Sequence, residues 1–204
     1  MHALVTAPGP IRGKRELRQT ARDARDAIPA ATRAAASLAI ADAVDRELLA
    51  RLPPQAIVAL YAPVASEVDT RPIGLRALAR HLRVAYPRVL APHRLAFALA
   101  APDELERGAF KIPEPRADAP IVSPDAFIVP GIAFDRTGAR IGWGHGYYDA
   151  TLAAAPAALR CGVAFESQLV AYVPVDPTDA HVHVVITERA VHRCAIVPGA
   201  PWIP

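Results

Sequence analysis

From Lys14 to about Ile28 apolar residues return every three or four positions, at Leu17, Ala21, Ala24 and Ile28, while Arg18, Arg22 and Arg25 follow another face. That spacing predicts an amphipathic helix, with Arg22 and Arg25 on a solvated face and paired locally with aspartates. Pro29 ends it. A second helix follows from about Ala31 to Leu52, with Ile40, Val44 and Leu48 as its buried stripe and Pro53-Pro54 as its stop. The period then changes. Ile57-Val-Ala-Leu-Tyr61 is a continuous apolar run bounded by turn signals, the pattern of a buried parallel strand. Further strands are predicted at Val84–Val89, at Leu95–Ala100 on an edge, and at Ala126–Pro130, Cys161–Phe165, Val182–Thr187 and Ala195–Val197. A helix through Leu75, Leu78 and Leu82 and another from about Tyr147 through Leu152 lie between them. Met1–Gly13 reads as a loose tail and Leu105–Pro115 as a proline-rich loop. Strands alternating with helices predict an α/β protein, a three-layer α/β/α fold around a mostly parallel sheet. The tail, 1–13, would precede a single domain, 14–204.

Composition narrows the possible partners. At 204 residues the chain can bury one sizeable core without disulfides or metals. A net charge of +3, with its basic residues diluted by Asp23 and Asp26, suits small anions and excludes a nucleic-acid face. Cys161 and Cys194 sit in apolar stretches without metal-type spacing, so two reduced, buried thiols are expected. No apolar run reaches membrane-spanning length and the first thirteen residues lack a signal segment, so a soluble cytoplasmic monomer is expected. Lys14 and Lys111 are the only lysines among 23 basic residues, which marks them as positions where a compact point charge is needed.

The candidate chemistry centres on Arg140-Ile-Gly-Trp-Gly-His-Gly-Tyr-Tyr-Asp149. Alternate glycines let a backbone approach a ligand closely and adopt positive φ. Placed at a helix N-terminus, such a loop can cradle an anion with its N–H groups. It matches neither the Walker nor the dinucleotide fingerprint. Lys14 and Arg18, one helical turn apart, are placed to reach a phosphate together. Glu67 and Asp69 follow the first buried strand, where open α/β sheets collect ligands; Asp69 or Thr70 is expected to cap the next helix, leaving Glu67 for function. Gln168 falls at the same sheet edge. Asp149 and Asp179 could hold a hard cation such as Mg²⁺, and Trp143, Tyr147 and Tyr148 could stack on a planar ring. His181, His183 and His192 are assigned surface or structural roles. No nucleophilic triad is visible. The residues thus point to a Mg–nucleotide enzyme acting on a planar anionic substrate.

Several segments, in order, resemble the 5-formyltetrahydrofolate cyclo-ligase family. They are Lys14-Arg-Glu-Leu-Arg18, Ser66–Thr70, Gly108–Pro115, Val129–Asp135 with Arg140–Asp149, Gly162–Gln168, and Thr178-Asp179 with Ile186–Glu188. The resemblance runs from Lys14 to Arg189. It implies a fold similar to the NagB/RpiA/CoA-transferase-like group and an enzyme that uses ATP and Mg²⁺ to close 5-formyltetrahydrofolate to 5,10-methenyltetrahydrofolate, releasing ADP and phosphate. Carried over by motif, Lys14, Arg15, Arg18, Arg140, Ile141, Gly142, Trp143, Gly144, His145, Gly146, Tyr147 and Tyr148 would bind ATP. Glu67 with Trp143, Gly144, His145, Gly146 and Tyr147 would contact the folate, Asp149 and Asp179 would ligate Mg²⁺, and Lys14 and Tyr147 would be catalytic. His145 stands where the family commonly has Lys or Gly, and Trp143 where Tyr or Arg is commoner. Two alternatives remain open on the sequence: an isomerase-like enzyme of the same fold that works without ATP, and a folate- or nucleotide-binding protein without turnover.

Overall fold

The computed structural model describes residues 13–91, 94–108 and 112–194. All of the expected tail but Gly13, the lysine Lys111 and the expected strand at Ala195–Val197 therefore lie outside the described residues. Helices α1 (Lys14–Asp26) and α2 (Ala30–Glu47) open the fold, with a 3-10 turn at Leu49–Arg51. Strand β1 (Ile57–Ala59), helix α3 (Arg71–Ala79) and strands β2 (Arg83–Ala91) and β3 (Arg94–Leu99) follow. Four short strands, β4 (Glu106–Arg107), β5 (Pro113–Glu114), β6 (Ile121–Val122) and β7 (Ala126–Val129), lead to a hairpin of β8 (Ala133–Phe134) and β9 (Arg140–Ile141). Helix α4 (Tyr147–Ala154), β10 (Leu159–Val163), a 3-10 turn at Glu166–Gln168, β11 (Val184–Ile186) and β12 (Val191–Arg193) complete it.

Eight strands form one sheet in the order β12-β11-β10-β7-β1-β2-β3-β6. The five from β11 to β2 are mutually parallel, and β3, β6 and β12 add to the two margins antiparallel. Alternation along the strands divides the core between the two faces. Val58, Val84, Ile128, Cys161 and Ile186 belong with Ile40, Val44 and Ile73 of α2 and α3. Ala59, Ala85, Phe127, Val129 and Val185 belong with Leu152 of α4. A smaller core under α1 joins Leu17 and Ala21 to Ile132, Ala133 and Ile141 of the β8–β9 hairpin. The three-layer, mostly parallel expectation therefore describes the fold. Among the described residues no single helix is long and apolar enough to cross a membrane.

The structure corrects several expectations. Helix α1 is rolled so that Leu17, Ala21 and Arg25 are buried and Ala24 is exposed. In α3 the inward side chains are Ile73 and Ala77, one turn apart, while Leu75 and Leu78 are 60% and 39% exposed. Strand β3 is not an edge, because Ile121 and Val122 pair with Ala98 and Phe97. Strand β12, absent from the sequence expectation, pairs antiparallel with β11 from Val191 to Arg193.

Close approach sets one glycine. A Cβ at Gly162, in the middle of β10, would lie 2.5 Å from the Phe134 ring, which occupies the sheet face at that point. Phe134 is itself fully buried. Gly162→Ala is expected to cost about 1–3 kcal/mol by overpacking, read as a fall in Tm with secondary structure retained. An unchanged Tm would show that the ring can move aside freely.

Candidate active site

The topology reverses at the centre of the sheet. From β1 the chain proceeds to β2 on one side, and from β7 to β10 on the other. Ligand crevices of open α/β sheets form where neighbouring connections leave in opposite directions, beyond the carboxyl ends of the strands. A cleft of about 1030 Å³ lies there. Tyr61, Ala62, Val64 and Glu67 enter it from the segment after β1, and Pro130 and Gly131 from the end of β7. Pro87, Val89 and Leu95 of β2 and β3, with Ile112, form an apolar wall. Opposite stand Lys14 and Arg18 of α1, the loop from Arg140 to Gly146, the first turn of α4 and Asp176–Asp179.

The glycine loop links β9 to α4. Gly144 and Gly146 have φ of 97° and 67°, and Gly146 is the left-handed residue from which α4 starts. A side chain at either position would be strained. Arg18 lies across the loop: its Nε donates to the Gly142 carbonyl at 2.9 Å, and its guanidinium would meet a Cβ on Gly144 at 3.5 Å. His145 and Tyr147 stand edge to face with centroids 6.4 Å apart. Tyr148 turns inward, where burial raises its hydroxyl pKa well above the ordinary value. Ile141 belongs to the small core under α1.

Charge is concentrated at the loop's base. Lys14 Nζ contacts Asp176 Oδ2 at 2.6 Å and Asp179 Oδ2 at 2.5 Å. Burial alone would lower the Lys14 ammonium, but these two carboxylates outweigh it and raise its pKa. The same contact with Lys14, together with the Asp176 N–H, overcomes burial and lowers the Asp179 carboxyl. Arg140 is nearly buried and donates from Nη2 to Asp149 Oδ1 at 2.7 Å; burial depresses its guanidinium against the pull of Asp149, Tyr148 and Asp179. Asp149 Oδ1 also accepts the Ala180 N–H, which ties α4 to the 176–179 loop. Lys14 and Arg18 both line the cleft, as expected, but neither is free of partners. One is paired with acids and the other with a loop carbonyl, because α1 packs its first turns directly onto these segments. Arg15 is exposed and does not line the cleft, since one residue along a helix rotates a side chain by about 100°.

Glu67 is sequestered at the far side. Its Oε2 accepts the Val64 N–H at 3.0 Å and its Oε1 accepts the Trp143 indole N–H at 3.2 Å. Burial raises its carboxyl above the usual range, opposed by these two donors and by Arg25. Trp143, 47% exposed, also lies under the Arg22 guanidinium, 4.6 Å from ring centroid. This is a cation–π contact that joins the glycine loop to α1. Arg22 is thus no simple solvated residue, and Arg25 is 1% exposed. The sequence carried a signal for Arg25: it continues the four-residue spacing of Leu17 and Ala21.

The N-cap of α3 is Thr70, whose hydroxyl goes to the Tyr61 carbonyl instead of capping the helix, while Asp69, one residue earlier, accepts the Arg71 N–H. Gln168 is not a ligand-side group. Its amide donates to the carbonyls of Gly131 and Ile132 and its oxygen accepts the Phe165 N–H, bracing the ends of β7 and β10. His183 accepts the Arg160 N–H on Nδ1, a structural use, and its pKa is lowered by burial and by Arg160. Cys161 and Cys194 are free thiols.

Fold and cleft together define a three-layer α/β protein with a cleft lined by charged side chains at its topological switch point. Residues 10–188 match the model of the 5-formyltetrahydrofolate cyclo-ligase family. The 5-formyltetrahydrofolate cyclo-ligase of Escherichia coli (strain K12) is 35% identical over 148 residues, which span 66% of this chain and 79% of that protein. The enzyme of the same name from Mycolicibacterium smegmatis is 33% identical over 150 residues, 66% of this chain and 75% of its own. Among solved structures, the 5,10-methenyltetrahydrofolate synthetase of Aquifex aeolicus superposes with a TM-score of 0.77 at 32% identity, covering 88% of this chain and 92% of that one. The Mycoplasma pneumoniae synthetase shares the fold, with a TM-score of 0.70 at 20% identity over 86% of this chain and 98% of its own. The chain belongs to the 5-formyltetrahydrofolate cyclo-ligase family and is a ligase. That sets aside the isomerase-like alternative.

Proposed function

We propose that the cleft closes 5-formyltetrahydrofolate to 5,10-methenyltetrahydrofolate at the expense of ATP, with ADP and phosphate released. One observation carries this reading: a single cleft brings Lys14, Arg18, Arg140 and a glycine loop against an apolar wall that ends in the buried acceptor Glu67. The first set suits a triphosphate, through charge and through backbone N–H groups near the start of α4. The second suits a flat heterocycle, with apolar area for its faces and a carboxylate for its N–H groups.

In the proposed reaction the formyl oxygen attacks the γ-phosphorus and the bond to ADP breaks. Nitrogen 10 then attacks the formyl carbon, the carbon–oxygen bond to phosphate breaks, and the nitrogen loses its proton. Such chemistry needs alignment and charge neutralisation more than a protein nucleophile. Lys14 and Arg18 neutralise phosphate oxygens after exchanging their present partners, and Tyr147, at the first position of α4, borders the reacting groups. Glu67 and Trp143 orient the pterin end.

The donor set also fits Mg²⁺. Among the described residues no three His, Cys, Asp or Glu side chains form a ready cage. Mg²⁺ bound to a nucleotide, however, takes only one or two carboxylates beside phosphate and water oxygens. Asp149 uses Oδ1 and Asp179 uses Oδ2 in the described bonds, so Asp149 Oδ2 and Asp179 Oδ1 are the oxygens that would hold it. There the ion would supply further neutralisation of phosphate charge.

Purified protein with 5-formyltetrahydrofolate is expected to develop methenyl absorbance only when ATP and Mg²⁺ are both present, and to stop on chelation. Product without ATP, or none with it, would end this reading.

A further inference from the structure

Arg25 is among the large, fully buried side chains of the described residues, and no catalytic role accounts for it. It comes from the last turn of α1, away from the phosphate side. Its Nε donates to Ser66 Oγ at 2.9 Å, and Ser66 donates in turn to Asp26. Ser66 immediately precedes Glu67, so this bond aims the guanidinium along the Glu67 side chain. Arg25 Nη1 then lies 4.0 Å from Glu67 Oε1, too far for a hydrogen bond, and it has no other partner among the described residues. Most buried N–H donors in folded proteins are paired, so this one calls for an explanation. Here it stands behind a carboxylate whose front is covered by the Trp143 indole N–H.

We propose that Arg25 is a positioning residue that keeps Glu67 aimed into the cleft for the folate, and closes on Oε1 when N–H groups of the pterin take the place of the Trp143 indole N–H there. The inference rests on Glu67 being the folate contact. A charge behind Glu67 matters because burial works against its ionised form. The other titratable groups facing it are the hydroxyls of Tyr61, after β1, and Tyr148, on α4, both pushed above their ordinary values by burial. Both stay neutral, which leaves Arg25 as the cation that acts on Glu67.

The test compares steady-state kinetics of Arg25→Met, Arg25→Lys, Ser66→Ala, Glu67→Gln and Arg25→Met/Glu67→Gln. Arg25→Met is expected to raise KM for the folate by about tenfold with KM for ATP unchanged. It should also move the acid limb of kcat/KM for the folate to higher pH, since loss of the cation raises the carboxylate's pKa. Arg25→Lys keeps the acid limb in place, because the charge remains. Should Arg25→Met give no soluble protein, Ser66→Ala must still raise the folate KM selectively. In the Glu67→Gln background, removing Arg25 should add less than about twofold. A uniform loss in kcat for both substrates, or full multiplication of the two effects, overturns the proposal. If Glu67→Gln itself leaves folate KM unchanged, the folate-site assignment fails. If Glu67→Gln raises it and neither Arg25→Met nor Ser66→Ala does, only the role of Arg25 fails.

Discussion

Lys14→Ala is expected to lower kcat/KM for ATP by roughly 10²- to 10³-fold, the range found when one charge-stabilising donor is removed from a closed site. Its ammonium sits between Asp176 and Asp179 at the mouth of the glycine loop, and its side chain is 26% exposed. Partly exposed ion pairs contribute little to folding, so the Tm should move far less than kcat/KM and the kinetic loss can be read beside it. The two aspartates hold the charge in the place where a phosphate would need it. If the proposed nucleotide site is right, binding would replace one set of anionic partners by another, without a search through lysine rotamers. Asp149→Ala should reduce ATP-dependent turnover comparably. It also strands the nearly buried Arg140, so its kinetics must be read beside its stability. Wild-type kcat/KM in both variants would show that phosphate binds elsewhere in the cleft.

Asp135→Ala should be the most destabilising single change in the β8–β9 hairpin, costing about 3–5 kcal/mol in chemical denaturation. The residue is 1% exposed. Its Oδ1 accepts the Thr137 N–H at 2.8 Å, the Thr137 hydroxyl at 2.6 Å and the Ala139 N–H at 3.3 Å, while Oδ2 accepts the Val173 N–H at 2.8 Å. Alanine leaves those donors buried and unmade, and frees the segment after β10 from the hairpin that carries Arg140. Asp135→Asn retains the shape and one acceptor oxygen, so it should lose less. A loss below about 1 kcal/mol for the alanine variant would mean that water replaces the carboxylate without strain.

Much of this molecule is legible along the chain. The periods of α1 and α2, the apolar runs of β1, β7 and β10, and the glycine spacing before α4 are local signals, and the structure keeps each near its expected bounds. The short strands were harder to see. Strands β6 and β12 have two and three residues, and β4 with β5 forms a hairpin of two-residue strands, lengths too brief to show a period. They exist because a neighbouring strand offers an unpaired edge. Lys14, Arg18, Glu67, Arg140, Asp149 and Asp179 stand out in the sequence by residue type and position, and the fold brings all six to one cleft. What they touch was not visible, since Lys14 meets partners more than 160 residues away.

By itself the sequence determined the α/β class, the order of its main elements and the glycine loop, because helix period, strand burial and positive-φ positions depend on residues close together in the chain. Only the tertiary structure decided that Arg25 is buried behind Glu67, that Trp143 spans from the loop to α1, and that Lys14 is held by acids. Those facts depend on how α1 lies against the β8–β9 hairpin and the segment after β1, and segments so far apart in sequence meet only once the sheet has ordered them.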